Sequence, residues 1–219
     1  AAMVVLAVGI SFYAVNHYQA MEDNKARIAL IEPGSKQAVL TLPDGSTIDV
    51  QKKDINVIVD GVQVKYNKGV LSYRPTVTTQ QHAEKNVDES PAKSNELVIP
   101  RGGENTVLLA DGTTVHLNAG SKLIYPARFV GKRRIVTLEG EAYFEIAENK
   151  KSPFLVLAEN VKIQVTGTCF NVKAYASDKV IKTTLDEGSI NIGHVQSRRP
   201  MQQMLPGQTA VYEKRSNVP

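Results

Sequence analysis

The sequence predicts an all-β chain: a β-sandwich or jelly-roll-like domain of short antiparallel strands and hairpins, preceded by part of a transmembrane helix. Three observations carry that reading. The stretch RIVTLEGEAYFEI alternates apolar and polar residues along its whole length. A hairpin phrase, AVLTLPDGSTIDV at 38–50, returns as TVLLADGTTVHLN at 106–118. Beyond residue 30 no segment sustains the 3.6-residue apolar period of an amphipathic helix, while turn residues recur at short intervals.

Taken in order, the first element is AAMVVLAVGISFYAV, an apolar run without charge. A membrane span needs roughly 20 apolar residues, so 1–19 reads as a partial transmembrane helix cut from something longer, with Tyr13 and Tyr18 near the interface. It lacks the basic start and the small-residue cleavage site of a signal peptide. The polar stretch EDNKARIALIEPGSK then leads into strand-like sequence, and 28–74 is expected to form an N-terminal β-hairpin segment. Residues 75–95, PTVTTQQHAEKNVDESPAKSN, have little to bury and read as a flexible linker. The main β-domain is expected over 96–213. Strands at 38–72 should pair with it, because both carry the same hairpin.

Within RIVTLEGEAYFEI, Val136, Leu138, Gly140, Ala142, Phe144 and Ile146 share one face. This is a half-buried strand, or two strands joined at a kink at Gly140. The repeated phrase can be tested by pairing its residues. A two-residue Asp-Gly loop would set Leu40 against Asp49 and mix apolar with polar. A three-residue loop, with Pro43 and Asp44 in a type I turn and Gly45 left-handed, sets Leu42 against Ser46, Leu40 against Ile48 and Ala38 against Val50. The second copy then sets Leu109 against Thr113 and Val107 against Val115. Asp44, Gly45, Asp111 and Gly112 are therefore structural turn residues. IKTTLDEGSINI reads as another hairpin, turning at Gly188.

Little in the composition points to chemistry. A net charge of +4 on 219 residues does not argue for nucleic acid. The basic clusters Lys132-Arg133-Arg134 and Arg198-Arg199 read as solvated surface beside strands. Cys169 stands alone, so no internal disulfide forms. His17, His82, His116 and His194 have no ligand-like spacing, so neither a metal nor a cofactor is expected, and His116 falls on the polar face of its strand. Glu141 and Glu145 share a face, but four residues on a strand span ~13 Å, beyond the ~5–9.5 Å of a glycosidase pair. Nucleophile-elbow, Walker A and dinucleotide motifs are absent from the sequence.

One place breaks the strand pattern. In VKIQVTGTCFNVKAY the apolar residues sit on odd positions (Val161, Ile163, Val165) and then on even ones (Phe170, Val172, Ala174). A bulge or sharp kink must lie across Thr166-Gly167-Thr168-Cys169 if both runs face one core. Such a bend invites self-cleavage at Gly167-Thr168. The Thr168 hydroxyl would attack the Gly167 carbonyl, move the acyl group from nitrogen to oxygen, and leave an ester for water to cut.

The segments VIPRGGENTVLLADGTTVHLNAGSKLIYPARF, RRIVTLEGEAYFEI, PFLVLAENVKIQVTGTCFNVKAY, TTLDEGSINI and LPGQTAVY resemble the FecR family of anti-sigma regulators, in the form common in Bacteroidetes. The resemblance runs from about residue 30 to 212 and is most specific over 96–193. It implies a single-pass inner-membrane protein whose bulk here is periplasmic. It also implies relay of a signal from the signalling domain of an outer-membrane TonB-dependent transporter to an extracytoplasmic-function sigma factor. The sigma factor would be held by a cytoplasmic segment expected before Ala1, and a further domain is expected beyond LPGQTAVY. Some such regulators cleave themselves at a Gly-Thr bond in this region, which Gly167-Thr168 matches. No turnover chemistry is implied. The competing class is a carbohydrate-binding or hydrolysing jelly roll, which the lack of Trp disfavours.

Overall fold

The computed structural model describes residues 35–50, 55–59, 61–67, 69–76, 94–197 and 199–214, together with helical positions 13 and 17. Residues 1–34 form one unit and 35–219 another. The expected anchor at 1–19 lies outside the described residues apart from Tyr13 and His17, and most of the expected linker, 77–93, also lies outside them. Among the described residues no helix is long and apolar enough to cross a membrane.

The second unit is all-β. Its strands are β1 (Ser35–Lys36), β2 (Val39–Thr41), β3 (Thr47–Asp49), β4 (Asn56–Val59), β5 (Val62–Asn67), β6 (Val70–Pro75), β7 (Ser94–Val98), β8 (Gly103–Leu108) and β9 (Thr114–Leu117). They continue as β10 (Lys122–Pro126), β11 (Arg134–Glu145), β12 (Phe154–Ala158), β13 (Val161–Val165), β14 (Cys169–Ala174), β15 (Val180–Glu187), β16 (Ile190–His194), β17 (Gln202–Met204) and β18 (Thr209–Glu213). All belong to one hydrogen-bonded network, which curls into two faces. The first runs β3-β2-β7-β10-β11-β12-β13-β16-β17. The second runs β4-β5-β6-β8-β9-β11-β14-β15-β18.

Strand β11 is common to both faces. Its first half pairs with β10 and β12, and from Gly140 onward it pairs with β9 and β14. Gly140 is the kink, with φ +100°. A Cβ built there would lie 2.5 Å from the Ser121 hydroxyl oxygen. That oxygen accepts from the Glu141 amide at 2.8 Å and donates to the Glu141 carbonyl at 2.9 Å, occupying the ladder where the strand changes sheet. Alternate residues fill the core from both faces, among them Leu123, Val136, Leu138, Phe144, Phe154, Ile163 and Phe170. Tyr73 of the second face and Tyr125 of the first meet across it, hydroxyl to hydroxyl at 2.8 Å and ring edge to ring face at 5.3 Å. Burial pushes both phenols well above their ordinary pKa, so the pair stays neutral inside the core.

Two sequence expectations change. The strands are not all antiparallel: β1 with β8, β6 with β8, and β11 with β12 are parallel. The pairing of β11 with β12 arises because the chain, on leaving Glu145 in the second face, returns to lay Phe154 beside Arg134 in the first. Likewise, β15 and β16 are not a hairpin. β15 pairs with β14 and β18, and β16 with β13 and β17, so the chain turns a corner between faces at Gly188, φ +87°. The 13–14 connection turns a matching corner, which is how the odd-to-even phase change is resolved. A bulge accompanies it: Cys169 opposes Glu187 while Phe170 opposes Leu185, leaving Asp186 extra.

Strands β1, β2 and β6 pair with β8 and β7, so β1 to β6 are built into the same two faces as β7 to β18. The kink makes a sharp prediction. Gly140→Ala should lower unfolding free energy by about 2 kcal/mol or more, because it adds a left-handed penalty to a steric overlap. Urea denaturation measures this, and a loss of under about 0.5 kcal/mol would contradict the account of the kink.

Candidate functional site

The two hairpin copies share one turn. In the first, Leu42 N–H donates to the Ser46 carbonyl at 2.8 Å and Gly45 N–H to the Leu42 carbonyl at 2.9 Å, with Gly45 at φ +84°. In the second, Leu109 N–H donates to Thr113 at 2.9 Å and Gly112 N–H to Leu109 at 3.0 Å, with Gly112 at φ +88°. The aspartates also match: Asp44 accepts from the Ser46 amide and hydroxyl, and Asp111 accepts from the Thr113 amide and hydroxyl.

The copies then diverge. Asp111 Oδ2 accepts from Arg134 Nη1 at 2.7 Å, and the Arg134 side chain is only 3% exposed. Arg134 therefore does not belong to the solvated surface expected of the 132–134 cluster. Its position explains why: it is in phase with Val136 and Leu138 and points inward. Its guanidinium also donates to the carbonyls of Ser152 at 2.8 Å and Ala147 at 2.9 Å, and lies 5.3 Å from the centroid of the Phe154 ring. Thr113, itself buried, receives the Ala147 amide at 3.2 Å. Asp111 thus does more than shape its turn. It neutralises a buried cation that ties the 109–113 turn to the loop 146–153.

That loop reaches the Gly167-Thr168 corner from its other side. Asn149 N–H donates to the Thr166 carbonyl at 2.7 Å and Ile146 N–H to the Thr168 carbonyl at 3.1 Å, so the Gly167-Thr168 peptide is flanked by two anchored carbonyls. A Cβ on Gly167 would lie 3.0 Å from the Glu148 side chain. On the opposite side, a Cβ on Gly188 would lie 2.8 Å from the Gly167 oxygen and 3.1 Å from Thr168 Oγ1. The Thr168 hydroxyl is buried and donates to the Ser189 carbonyl at 3.2 Å. The fold thereby brings Gly167, Thr168 and Gly188 into one glycine-lined junction, joined through 146–149 to Asp111 and Gly112. Asp44 and Gly45 belong to the separate β2–β3 turn.

Beside the junction, the outer surface of the second face carries a polar cluster. His116 Nε2 pairs with Glu145 Oε1 at 3.0 Å, and its Nδ1 contacts Thr106 Oγ1 at 3.1 Å. Glu141 contacts Asn171 Nδ2 at 3.1 Å and Lys173 Nζ at 3.8 Å. Burial and then the Asp186 carboxylate push the Tyr143 phenol up to about 12. Burial, followed by Glu187, Glu145 and Asp186, raises the Cys169 thiol. Cys169 is thus kept protonated and is a poor nucleophile. Among the described residues no group of His, Cys, Asp and Glu is arranged to hold a metal ion.

The FecR protein family matches residues 95–191, which span the Asp111–Arg134 pair, the Gly140 kink and both corners. A solved structure of a candidate anti-sigma factor from Parabacteroides distasonis ATCC 8503 is 30% identical, covering 55% of this chain and 60% of that one, with a TM-score of 0.50. A second structure of a candidate anti-sigma factor from the same organism is 31% identical over 54% and 59%, with a TM-score of 0.49. The chain therefore spans about 60% of the length of the first relative. No curated protein matches the chain.

Asp111→Ala leaves Arg134 as an uncompensated buried charge and should cost about 3–5 kcal/mol. Urea denaturation curves of the wild type and the variant test this, and a loss of under about 1 kcal/mol would remove the special role of the ion pair.

Proposed function

The chain belongs to the FecR family through residues 95–191, and on that premise we propose that it is the signal-relay part of an anti-sigma regulator. In this reading residues 1–19 contribute to a single-pass anchor in the inner membrane and the β-unit lies in the periplasm. There it receives a signal from the signalling domain of an outer-membrane TonB-dependent transporter. The anchor carries that signal to a cytoplasmic segment of the same polypeptide that holds an extracytoplasmic-function sigma factor. The observation that carries the reading is the family match over the part of the chain that contains β11 and both inter-face corners. The 30% identity to a candidate anti-sigma factor supports it.

A carbohydrate-active jelly roll is less well supported. Glu141 and Glu145 are engaged by Asn171, Lys173 and His116 rather than converging on an open site. The sequence has no Trp to build a sugar-stacking platform. Glycan-array binding would reverse this ranking.

A second activity is favoured by the junction. We infer that the Gly167-Thr168 bond cleaves itself. The buried Thr168 hydroxyl adjoins a peptide whose flanking carbonyls are both anchored. Oγ1 adds to the Gly167 carbonyl carbon, the C–N bond breaks, and the threonine nitrogen takes up the hydroxyl proton. Water then hydrolyses the resulting ester to a new carboxylate and the free hydroxyl.

Two experiments test these readings. In the full-length regulator, deleting residues 94–214 should uncouple a sigma-dependent reporter from the transporter's substrate, and a reporter that still responds would sink the relay. For self-cleavage, denaturing gels of the purified chain should show two fragments that disappear in Thr168→Ala. A wild-type chain that stays whole removes the second activity and leaves the first untouched.

A further inference from the structure

Parallel pairing of β11 with β12 aligns the loops that lead into them. Arg134 lies beside Phe154 in register, Arg134 N–H donates to the Pro153 carbonyl at 3.0 Å, and Nε reaches Ser152. Loop 127–133 brings Arg128, Lys132 and Arg133, and loop 147–153 brings Lys150 and Lys151, all exposed. Residues about twenty apart in sequence are thereby gathered at one end of the first face.

Their counterions are sparse. Elsewhere lysines meet carboxylates: Lys36 with Glu104, Lys122 with Glu139, Lys173 with Glu141 and Lys214 with Glu159. Here Lys150 has Glu148 at 3.5 Å, with both side chains largely in solvent. Arg128, Lys132, Arg133 and Lys151 form no ion pair with another described residue. What adjoins them is apolar. Val130 is 42% exposed and Ile135 41%. Behind them, the outward rows of the face run Ile135–Leu155 and Ile124–Thr137–Leu157. The core takes the inward residues of these strands, so these aliphatics stand outside it, with Ile124, Leu155 and Leu157 half-buried and Val130 and Ile135 exposed.

We propose that this basic rim and the apolar rows behind it are the docking surface for an acidic, apolar-faced region of a partner protein. Resting on the relay reading, that partner is the transporter's signalling domain. Positive charge steers the encounter, and the aliphatic rows hold the complex. A protein surface fits better than an anionic bilayer. Apart from Val130 in the 127–133 loop, the aliphatics lie on the flat of the sheet, and Glu96 and Glu139 stand in register with Ile124 and Lys122 on the same face.

The test uses the full chain and the purified signalling domain of its cognate transporter. Combined Lys132→Glu, Arg133→Glu, Lys150→Glu and Lys151→Glu should weaken binding about tenfold or more at low salt, and the gap should close at high salt. Lys65→Glu with Lys182→Glu, on the outer surface of the second face, should leave affinity unchanged. Unaltered binding by the fourfold variant, with the wild type still binding, overturns the docking surface alone. Failure of the wild type to bind overturns the relay reading and the surface with it. If vesicles rich in phosphatidylglycerol bind the wild type and lose the variant, while the signalling domain does not distinguish them, the surface is a lipid site and the proposal fails.

Discussion

Everything in the β-unit depends on how close β11 passes to Ser121. One strand can serve two faces only if its backbone bends sharply without losing its hydrogen bonds. Gly140 supplies the bend because it tolerates φ +100° and has no Cβ to strike Ser121. The serine hydroxyl then accepts from the Glu141 amide and shares the Glu141 carbonyl with the Asn118 amide, so the bend keeps both backbone groups paired. Strands β10 and β12 are positioned by one half of β11, and β9 and β14 by the other. A side chain at residue 140 would therefore disturb both faces together.

The corners follow from the same constraint. Once β11 has crossed from the first face to the second, the chain crosses back along 146–153 and crosses again at 166–168, at 188–189 and at 205–208. The crossings at 166–168 and 188–189 stack on one another. Gly188 lies against the Gly167 carbonyl and the Thr168 hydroxyl too closely for any other residue. The loop 146–153 closes the far side, held by backbone bonds to the corner and by Arg134 to Asp111. A buried guanidinium is costly alone, and here it is met by a carboxylate, two carbonyls and an aromatic face. The junction is consequently a node shared by both faces.

The outer surfaces of the two faces differ in polarity. The second presents His116, Glu141, Glu145, Tyr143 and Asp186 in paired polar contacts. The first presents aliphatics bordered by cations that have few partners among the described residues. Since the two surfaces share β11, contact on the first bears directly on the strand that organises the second.

Much of this was readable before any coordinates. Period-two alternation identified strands and their inward residues, since side chains of a strand alternate sides whatever the fold. The Asp-Gly turns were set by local chemistry, and pairing apolar residues gave their register, Leu40 with Ile48 and Val107 with Val115. The phase change at 166–169 located the junction. Sequence did not separate a hairpin from a corner at Gly188, because a left-handed glycine serves both and only the partner strands differ. It also missed Arg134 as a core residue, although the side chain lay in phase with Val136 and Leu138. Charge suggested solvent, and the compensating Asp111 was 23 residues away. The parallel β11–β12 pairing that gathers the basic loops was likewise invisible to local patterns. Sequence by itself determined strands, turns and their apolar faces, because those follow from chemistry between near neighbours. The tertiary structure decided which strands adjoin, which charge is buried and which cations cluster, because those depend on contacts between residues far apart in the chain.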